Sequence, residues 1–147
     1  ELTILCMLLF TGCEKQGDKK SSYRQTLLTA RNWVLSNYEV KYGSGPWQSH
    51  SAGWDDCDKD DTTVFRIDNI YELRGGVVKC DQFEPIILNT DGWHFAEYET
   101  KIQFDAYADL HSIGVLNEDE LVIMEIKEGI VGGQIVYKYA KSTYRHD

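Results

Sequence analysis

Short segments rich in aromatic and β-branched residues recur along this chain, and residues that favour turns separate them. The segments Asn32 to Lys41, Thr62 to Ile67, Thr100 to Phe104 and Gln134 to Lys141 alternate apolar with polar side chains, as half-buried strands do. Nothing between the segments resembles the long crossover helix that joins parallel strands. Roughly eight strands fit, which is enough to close a barrel. The pattern therefore predicts an all-β fold, a small antiparallel up-and-down β-barrel.

Local signals predict a helix before the first strand and two tight turns after it. The helix is predicted over Tyr23 to Arg31, where no helix-breaking residue occurs. A helix this short must pack on the barrel to be stable. Asp68-Asn69 and Asp91-Gly92 each predict a turn between strands.

The charge balance excludes several classes of partner. The chain has 147 residues, with 15 Lys and Arg against 24 Asp and Glu, for a formal net charge of −9. This length fits a single folded domain. Binding to nucleic-acid phosphates needs clustered Lys and Arg, and no basic run here is longer than Lys19-Lys20. We therefore expect neither a nucleic-acid partner nor a polybasic contact with a membrane surface.

The first residues predict an export signal. Residues 2–10 form an apolar run that is about half as long as a bilayer-spanning helix. Such a run followed by small residues is typical of the apolar region of a secretory signal peptide. We therefore expect residues 1–12 to be a partial signal peptide, with the chain beginning inside it. The alternative is a buried apolar strand that carries an incidental cysteine.

The stretch Leu9-Phe10-Thr11-Gly12-Cys13 resembles the lipobox of bacterial lipoproteins. The resemblance implies that Cys13 is diacylated and becomes the mature N-terminus. Residues 13–22 are then expected to form a flexible, lipid-anchored tether. The expected location is the bacterial cell envelope, facing the periplasm or the cell surface, with the lipid as the membrane contact.

The remaining cysteines follow from this expected location. With Cys6 removed in the signal and Cys13 lipidated, Cys57 and Cys80 are left, and disulfides persist in exported domains. A bridge across their separation would stabilise the fold by roughly 3 kcal/mol. The alternative is two buried free thiols. Because the chain contains no Cys-x-x-Cys pair, a zinc site is not expected.

Three stretches, taken in order, resemble one family. They are Leu28 to Leu35 with its Trp33, Cys57 to Asp61 followed by Phe65 and Cys80, and Leu116 to Leu121 followed by Tyr137-Lys138-Tyr139. This order resembles the lipocalin-like lipoproteins of Bacteroidetes-type bacteria. The resemblance implies that residues 23–147 form a lipocalin-like β-barrel of about eight strands with a short N-terminal helix, in a cell-envelope lipoprotein.

Large aromatic residues at predicted barrel-facing positions are the candidate ligand contacts. In the first strand, strict alternation places Trp33 and Leu35 on one face and Tyr38 and Val40 on the other. The aromatic candidates for the interior are Trp33, Phe65, Trp93, Phe95, Phe104, Tyr137 and Tyr139. One hypothesis is that they line a cavity for a small hydrophobic ligand. The other is that they fill the barrel of a structural, protein-interaction or glycan-interaction module.

The segment from Tyr42 to Trp54 is long, rich in glycine and carries both Trp47 and Trp54. Side chains of this size bury much surface when they can, and long loops are often functional. One hypothesis is a lid over the barrel mouth, with the two rings closing on a ligand. The other is that both rings pack on the outside of the barrel and anchor the connection.

Asp56, Asp58 and Asp60 have the spacing with which a calcium-binding loop begins. Asp61 occupies the position where such a loop needs glycine, and Ile67 occupies that of the closing glutamate. A solvated acidic loop is therefore the competing interpretation. We expect no cofactor.

No motif of a serine-nucleophile elbow, a phosphate-binding loop or a zinc protease occurs in the chain. No side chain that could act as a nucleophile has an evident activating neighbour in the sequence. We therefore expect no catalytic residues, and a binding or structural role instead of an enzymatic one. The sequence leaves the oligomeric state open.

Overall fold

The structure, a computed structural model, describes residues 21–131 and 134–146. The predicted signal peptide, the lipidation residue Cys13 and most of the predicted tether lie outside the described residues. Within the described ranges, no helix combines the length and the apolar character needed to cross a membrane.

Strands account for most of the described chain, and the helices are short. The helices are α1 over Tyr23–Thr29 and α2 over Asp56–Lys59, with a 3₁₀ turn over Ser51–Gly53. The strands within the described ranges are β1 Asn32–Tyr42, β2 Gln48–Ser49, β3 Thr62–Phe65, β4 Ile70–Arg74, β5 Ile87–Ala96, β6 Lys101–Phe104, β7 Leu110–Leu116, β8 Glu120–Val131 and β9 Gln134–His146.

Eight of these strands form a closed antiparallel barrel. From β3 to β9, each strand pairs with the next one along the chain. The barrel closes because β1 pairs with β3 along one edge and with β9 along the other. The two-residue strand β2 pairs with the second half of β1. The predicted small up-and-down barrel with a short N-terminal helix is therefore confirmed.

A core of large apolar side chains occupies one end of the barrel, which we call the filled end. Its buried members are Leu28, Trp33, Phe65, Trp93, Ile102, Leu121 and Ile123. The Phe65 and Trp93 rings meet edge to face, with their centroids 5.5 Å apart. From Leu121, strand β8 runs away from this core toward the opposite end, which we call the mouth.

Helix α1 packs against the filled end. The Ser22 hydroxyl accepts a hydrogen bond from the Gln25 N–H at 3.0 Å and so caps the first turn. The Leu28 side chain is fully buried, and its carbonyl accepts a hydrogen bond from Trp33 Nε1 at 3.0 Å. Because a helix of this length is not stable alone, these contacts with the barrel are what hold it.

A β-bulge in β1 changes which side chains face the interior. The register between β1 and β9 shifts between Leu35 and Asn37, so that β1 accommodates one extra residue there. As a result, Leu35 and Tyr38 line the same interior cleft, and Val40 is buried. The prediction that Tyr38 and Val40 lie on the face opposite to Trp33 was therefore wrong. One inserted residue reverses the alternation for the rest of the strand.

The two predicted tight turns have different outcomes. Asp68-Asn69 lies in the β3–β4 turn, where Asn69 adopts a left-handed backbone with a φ of 67°. Asp91-Gly92 lies inside β5, and the turn predicted there was wrong. At this point β5 passes from its pairing with β4 to its pairing with β6. A Cβ on Gly92 would collide with the Asp105 carboxylate, so glycine serves a close approach of two segments at this position.

The predicted disulfide between Cys57 and Cys80 is present, with the two Cα atoms 5.2 Å apart. Cys57 lies in α2 and is buried, and Cys80 lies in the connection between β4 and β5. The alternative of two free thiols is therefore wrong. The disulfide joins the β1–β3 connection to the β4–β5 connection, the two long connections between barrel strands.

Candidate functional site

Between the filled end and the mouth, the barrel interior holds open space. One cavity has a volume of about 280 Å³, and a second one of about 170 Å³ adjoins it and reaches Phe65. Both are lined by Tyr71 from β4, Phe104 from β6, His111 from β7 and Glu125 from β8. We call these two spaces together the barrel cavity.

The strand register explains why polar side chains face this cavity. His111 lies opposite Ile102, which belongs to the core of the filled end. Glu125 follows the core residue Ile123 by two positions in β8. Residues paired directly across two strands share a face of the sheet, and so do residues two positions apart on one strand. Both polar groups therefore point into the barrel. The interior is therefore apolar near the core and becomes polar toward the mouth.

The apolar wall of the barrel cavity is aromatic. The Tyr71 and Phe104 rings meet edge to face with centroids 5.1 Å apart, and the Phe104 and His111 rings do so at 5.3 Å. Phe65 continues the wall toward the filled end, 5.5 Å from Tyr71. Burial raises the pKa of the Tyr144 hydroxyl far above its ordinary value, so it remains a neutral hydrogen-bonding group. This wall suits a flat or compact apolar body.

Charged groups cluster at the mouth side of the barrel cavity. Lys127 Nζ lies 2.6 Å from Glu125 Oε1, and this hydrogen bond raises the pKa of the lysine. Asp91 and Asp109 add two more carboxylates to the lining. Burial lowers the pKa of His111, because desolvation disfavours the imidazolium. At neutral pH the histidine is therefore uncharged, and the lining carries three carboxylates and one ammonium.

A second opening, a cleft of about 430 Å³, lies where β1 and β3 separate. Only the first residues of β1 pair with β3, which leaves the wall open beyond Val34. Trp54, from the long connection after β1, lines this cleft together with Leu35 and Tyr38. Tyr144 lines both the cleft and the barrel cavity. Trp54 therefore lies at a side opening of the barrel and not over its mouth, and the lid hypothesis stays a prediction.

Trp47 lies on the outer surface of the barrel. The Lys41 and Lys141 ammonium groups stand 4.9 Å and 5.1 Å from the centroid of its ring, at distances typical of cation–π contacts. The same Lys41 group lies 4.8 Å from the Tyr139 ring. The two tryptophans of this connection are thus separated by the barrel wall, since Trp54 lines the interior cleft.

The structure separates the predicted ligand contacts that lie on strands β1 to β6. Trp33 and Trp93 are buried in the core at the filled end, and Phe95 packs against that core. Phe104 lines both parts of the barrel cavity, and Phe65 lines the smaller part. Two of these five residues therefore contact the open space, and the other three belong to the filled end.

Tyr137 and Tyr139 face outward, and the prediction that they face the interior was wrong. Tyr139 pairs with Ile126 on the outer face of the hairpin, where Ile126 is largely exposed. Its neighbour Ala140 lies opposite Glu125 and is buried. The larger side chain, Tyr139, lies outside beside Lys41, and the small side chain of Ala140 leaves the cavity open.

The structure does not bring Asp56, Asp58 and Asp60 together. Asp56 forms an exposed ion pair with the lysine three positions later, at 2.7 Å. Asp60 Oδ2 accepts two backbone N–H groups of the β4–β5 connection, at 2.7 Å and 2.9 Å. Within residues 21–131 and 134–146, the metal-ligating side chains that converge in a set of three are Cys57, Asp58 and Cys80. Both of these cysteines are consumed by the disulfide.

Sequence reasoning missed most of the cavity lining. The last strand was predicted to end at Lys141, whereas β9 continues to His146. Even a longer strand would have placed Tyr144 outside, because Tyr144 shares a face with Ala140 and not with Tyr139. His111 and Glu125 gave no signal, because a polar residue in a strand has the same pattern whether it faces solvent or a cavity.

In comparisons with known proteins, no family model matches this chain and no curated protein matches its sequence. The functional assignment therefore rests on the barrel cavity. Its aromatic wall, its polar mouth and its opening to solvent are features of a binding site for a small molecule.

Proposed function

We propose that this protein is an exported, lipid-anchored lipoprotein of the bacterial cell envelope whose lipocalin-like barrel binds a small molecule with a mainly apolar body. The ligand enters at the mouth and lies in the barrel cavity, against Tyr71 and Phe104. The protein acts as a binding protein, and no catalytic step is proposed.

The observation that carries the proposal is the division of the barrel interior. Protein interiors are normally packed without space for a ligand, and the filled end follows that rule. The other half holds cavities of about 280 Å³ and 170 Å³ with a shared aromatic wall. Keeping apolar side chains beside unfilled space costs stability, so an occupant of this space would stabilise the fold.

Two further features support the proposed location. Disulfides such as Cys57–Cys80 persist mainly in exported proteins. Helix α1 packs on the filled end, and Ser22 caps its first turn. A lipid-anchored tether ending at Ser22 would therefore attach at the filled end and leave the mouth free to take up a ligand.

The alternative function, a filled barrel that uses Trp47 and Trp54 on one interaction surface, receives less support. Trp47 is 37 % exposed on the outer surface, whereas Trp54 lines the cleft between β1 and β3. The two rings therefore do not form a common surface for a protein or a glycan.

A titration with the neutral fluorophore N-phenyl-1-naphthylamine tests the proposal. Its fluorescence rises in an apolar cavity, and we expect saturable binding to the wild-type protein. Ser142 lines both the cleft and the smaller part of the barrel cavity, and Ser142→Leu should fill that smaller part and weaken binding severalfold. Ser112→Leu is the matched control. Ser112 lies next to His111 and hence on the outer face of β7, so that variant should bind as the wild type does.

Two outcomes would overturn the proposed function. One is the absence of saturable binding to folded wild-type protein, checked by native mass spectrometry against a panel of lipophilic compounds. The other is equal fluorophore binding by the wild type and by folded Ser142→Leu, which would place the fluorophore elsewhere on the molecule.

A further inference from the structure

Negative charges outnumber positive charges in the lining of the barrel cavity, and the carboxylates differ in whether they form an ion pair. Glu125 and Lys127 neutralise each other through their contact at 2.6 Å. Asp91 is fixed by backbone hydrogen bonds, because both of its carboxylate oxygens accept the Ala106 N–H, at 3.1 Å and 3.2 Å. Neither Asp91 nor Asp109 has an ion-pair partner among the residues that the structure describes. Asp109 is close enough to Lys127 to help raise the pKa of that lysine, whose ion pair is with Glu125. Two carboxylates of the lining are therefore left without an ion pair of their own.

Aromatic rings stand beside these carboxylates. Tyr71, Phe104 and Tyr107 line the same cavity as Asp91 and Asp109. The face of an aromatic ring carries negative electrostatic potential and attracts a cation, and the attraction is strongest for an organic ammonium that is partly desolvated. An apolar body and a positively charged head would therefore each find matching groups in one cavity.

We propose that the barrel cavity selects a small organic cation, an ammonium group carried on one ring or on a short apolar chain. The apolar body lies against Tyr71 and Phe104, and the ammonium group lies at the mouth beside Asp109 and Asp91. This inference rests on the proposed ligand-binding function and adds the chemical class of the ligand.

The volume of the cavity and the net charge of the protein both favour a small organic cation as the ligand. The main cavity of about 280 Å³ is at the lower limit of ordinary ligand pockets, so a compact ligand fits and a long lipid does not. The formal net charge of −9 also attracts cations toward the protein and repels anions of the same shape. A carboxylate or phosphate head at the mouth would meet two unpaired carboxylates.

Three compounds of similar shape test the charge of the ligand: 2-phenylethylammonium, 2-phenylethanol and phenylacetate. Isothermal titration calorimetry at a fixed, physiological salt concentration gives the dissociation constant of each. We expect the ammonium compound to bind about tenfold more tightly than the alcohol, and phenylacetate to bind more weakly than either.

Two variants should change the affinity for 2-phenylethylammonium in opposite directions. Asp109→Asn removes an unpaired carboxylate and should weaken binding severalfold, with no change for 2-phenylethanol. Lys127→Gln removes the counter-charge of Glu125 and should strengthen binding. Glu118→Gln on the β7–β8 turn changes the net charge by the same amount as Asp109→Asn. It lies at the filled end, so it should bind all three compounds as the wild type does.

The inference on charge and the proposed function fail in different ways. Equal affinity for the ammonium compound and the alcohol, or preference for phenylacetate, overturns the cation inference while N-phenyl-1-naphthylamine still binds. Binding of the fluorophore alone, with none of the three compounds, also overturns it. Equal weakening by Asp109→Asn and Glu118→Gln would assign the effect to net charge and overturn the role of Asp109. If neither the fluorophore nor any of the three compounds binds, both proposals are overturned.

Discussion

Residue size at inward positions decides where the barrel is filled and where it is open. At the filled end the inward residues include Trp33 and Trp93, which leave no space between neighbouring strands. Toward the mouth, β9 contributes Ala140 and Ser142 to the interior. Small side chains at these positions cannot reach across to Phe104, and the space between them remains open. The cavity is therefore a consequence of a few small residues in one strand.

Glu72 is a buried carboxylate on β4 that lies between two arginines. Arg74 Nη2 lies 2.6 Å from Glu72 Oε2, and Arg66 Nη1 lies 3.1 Å from Oε1. These hydrogen bonds, first that of Arg74 and then that of Arg66, hold the pKa of Glu72 below its ordinary value of 4.5. The carboxylate thus joins β4 to the β3–β4 turn through its charge.

Glu72 is expected to make part of the stability sensitive to acid. Because the pKa of Glu72 is lower in the folded than in the unfolded chain, its contribution is present above pH 4.5 and is lost as the pH falls through the folded pKa. Urea unfolding at several pH values should show a smaller loss of stability on acidification for Glu72→Gln than for the wild type. Glu118→Gln, at an exposed site, is the control and should follow the wild type. If Glu72→Gln lost as much stability on acidification as the wild type does, Glu72 would not be a source of the acid sensitivity.

Gly76 is expected to be intolerant of a side chain. A Cβ there would collide with the Asp60 carboxylate, which is held by the N–H groups of Val77 and Val78. Gly76→Ala must displace one of these groups, and the free energy of unfolding should fall by about 1–3 kcal/mol. In Gly53→Ala the added Cβ meets no atom within 4 Å, so chemical denaturation should show a change of at most about 0.5 kcal/mol. Equal effects of the two substitutions would show that the contact with Asp60 is unimportant.

Among the elements, the sequence predicted those features that depend on local patterns. Alternation and turn residues indicated the strands, the β3–β4 turn and the helix before β1, because each depends on neighbouring residues. The bulge after Leu35 and the passage of β5 between two partners at Gly92 were not predicted. Both arise from the register between strands, which depends on pairing partners far away in the sequence. The faces assigned in β1 and β9 failed for the same reason.

The disulfide is expected to contribute strongly to the stability of the two long connections. Replacing Cys57 and Cys80 together by serine should lower the free energy of unfolding by about 2–5 kcal/mol, since the unfolded chain gains freedom and α2 loses its link to the β4–β5 connection. Urea denaturation with and without dithiothreitol measures this. The reductant should destabilise the wild type to a similar extent and leave the double variant unchanged. A wild type that is insensitive to complete reduction would refute this contribution.

For the whole molecule, the barrel consists of a half that supplies stability and a half that is available for binding. The sequence identified residues of both halves, since Phe104 lines the cavity, Trp54 lines the cleft and Trp33 lies in the core. It did not identify His111 or Glu125, because polar residues are expected on the outer face of a strand. Only the closure of the barrel and its register reveal that these two side chains face inward.

This division predicts that stability and binding can be changed separately. Leu28 is fully buried in the core at the filled end, where α1 packs on the barrel. Leu28→Ala should therefore lower the free energy of unfolding by about 2–5 kcal/mol. The barrel cavity lies on the mouth side of that core. The dissociation constant of the variant for N-phenyl-1-naphthylamine, measured below the melting transition, should therefore stay within about twofold of the wild-type value. Ser142→Leu should show the opposite emphasis, with binding weakened severalfold and a smaller loss of stability than in Leu28→Ala, a loss that arises because the buried Tyr144 hydroxyl loses its Ser142 partner. If folded Leu28→Ala loses affinity along with stability, the two halves are coupled, and the open half is not an independent binding site.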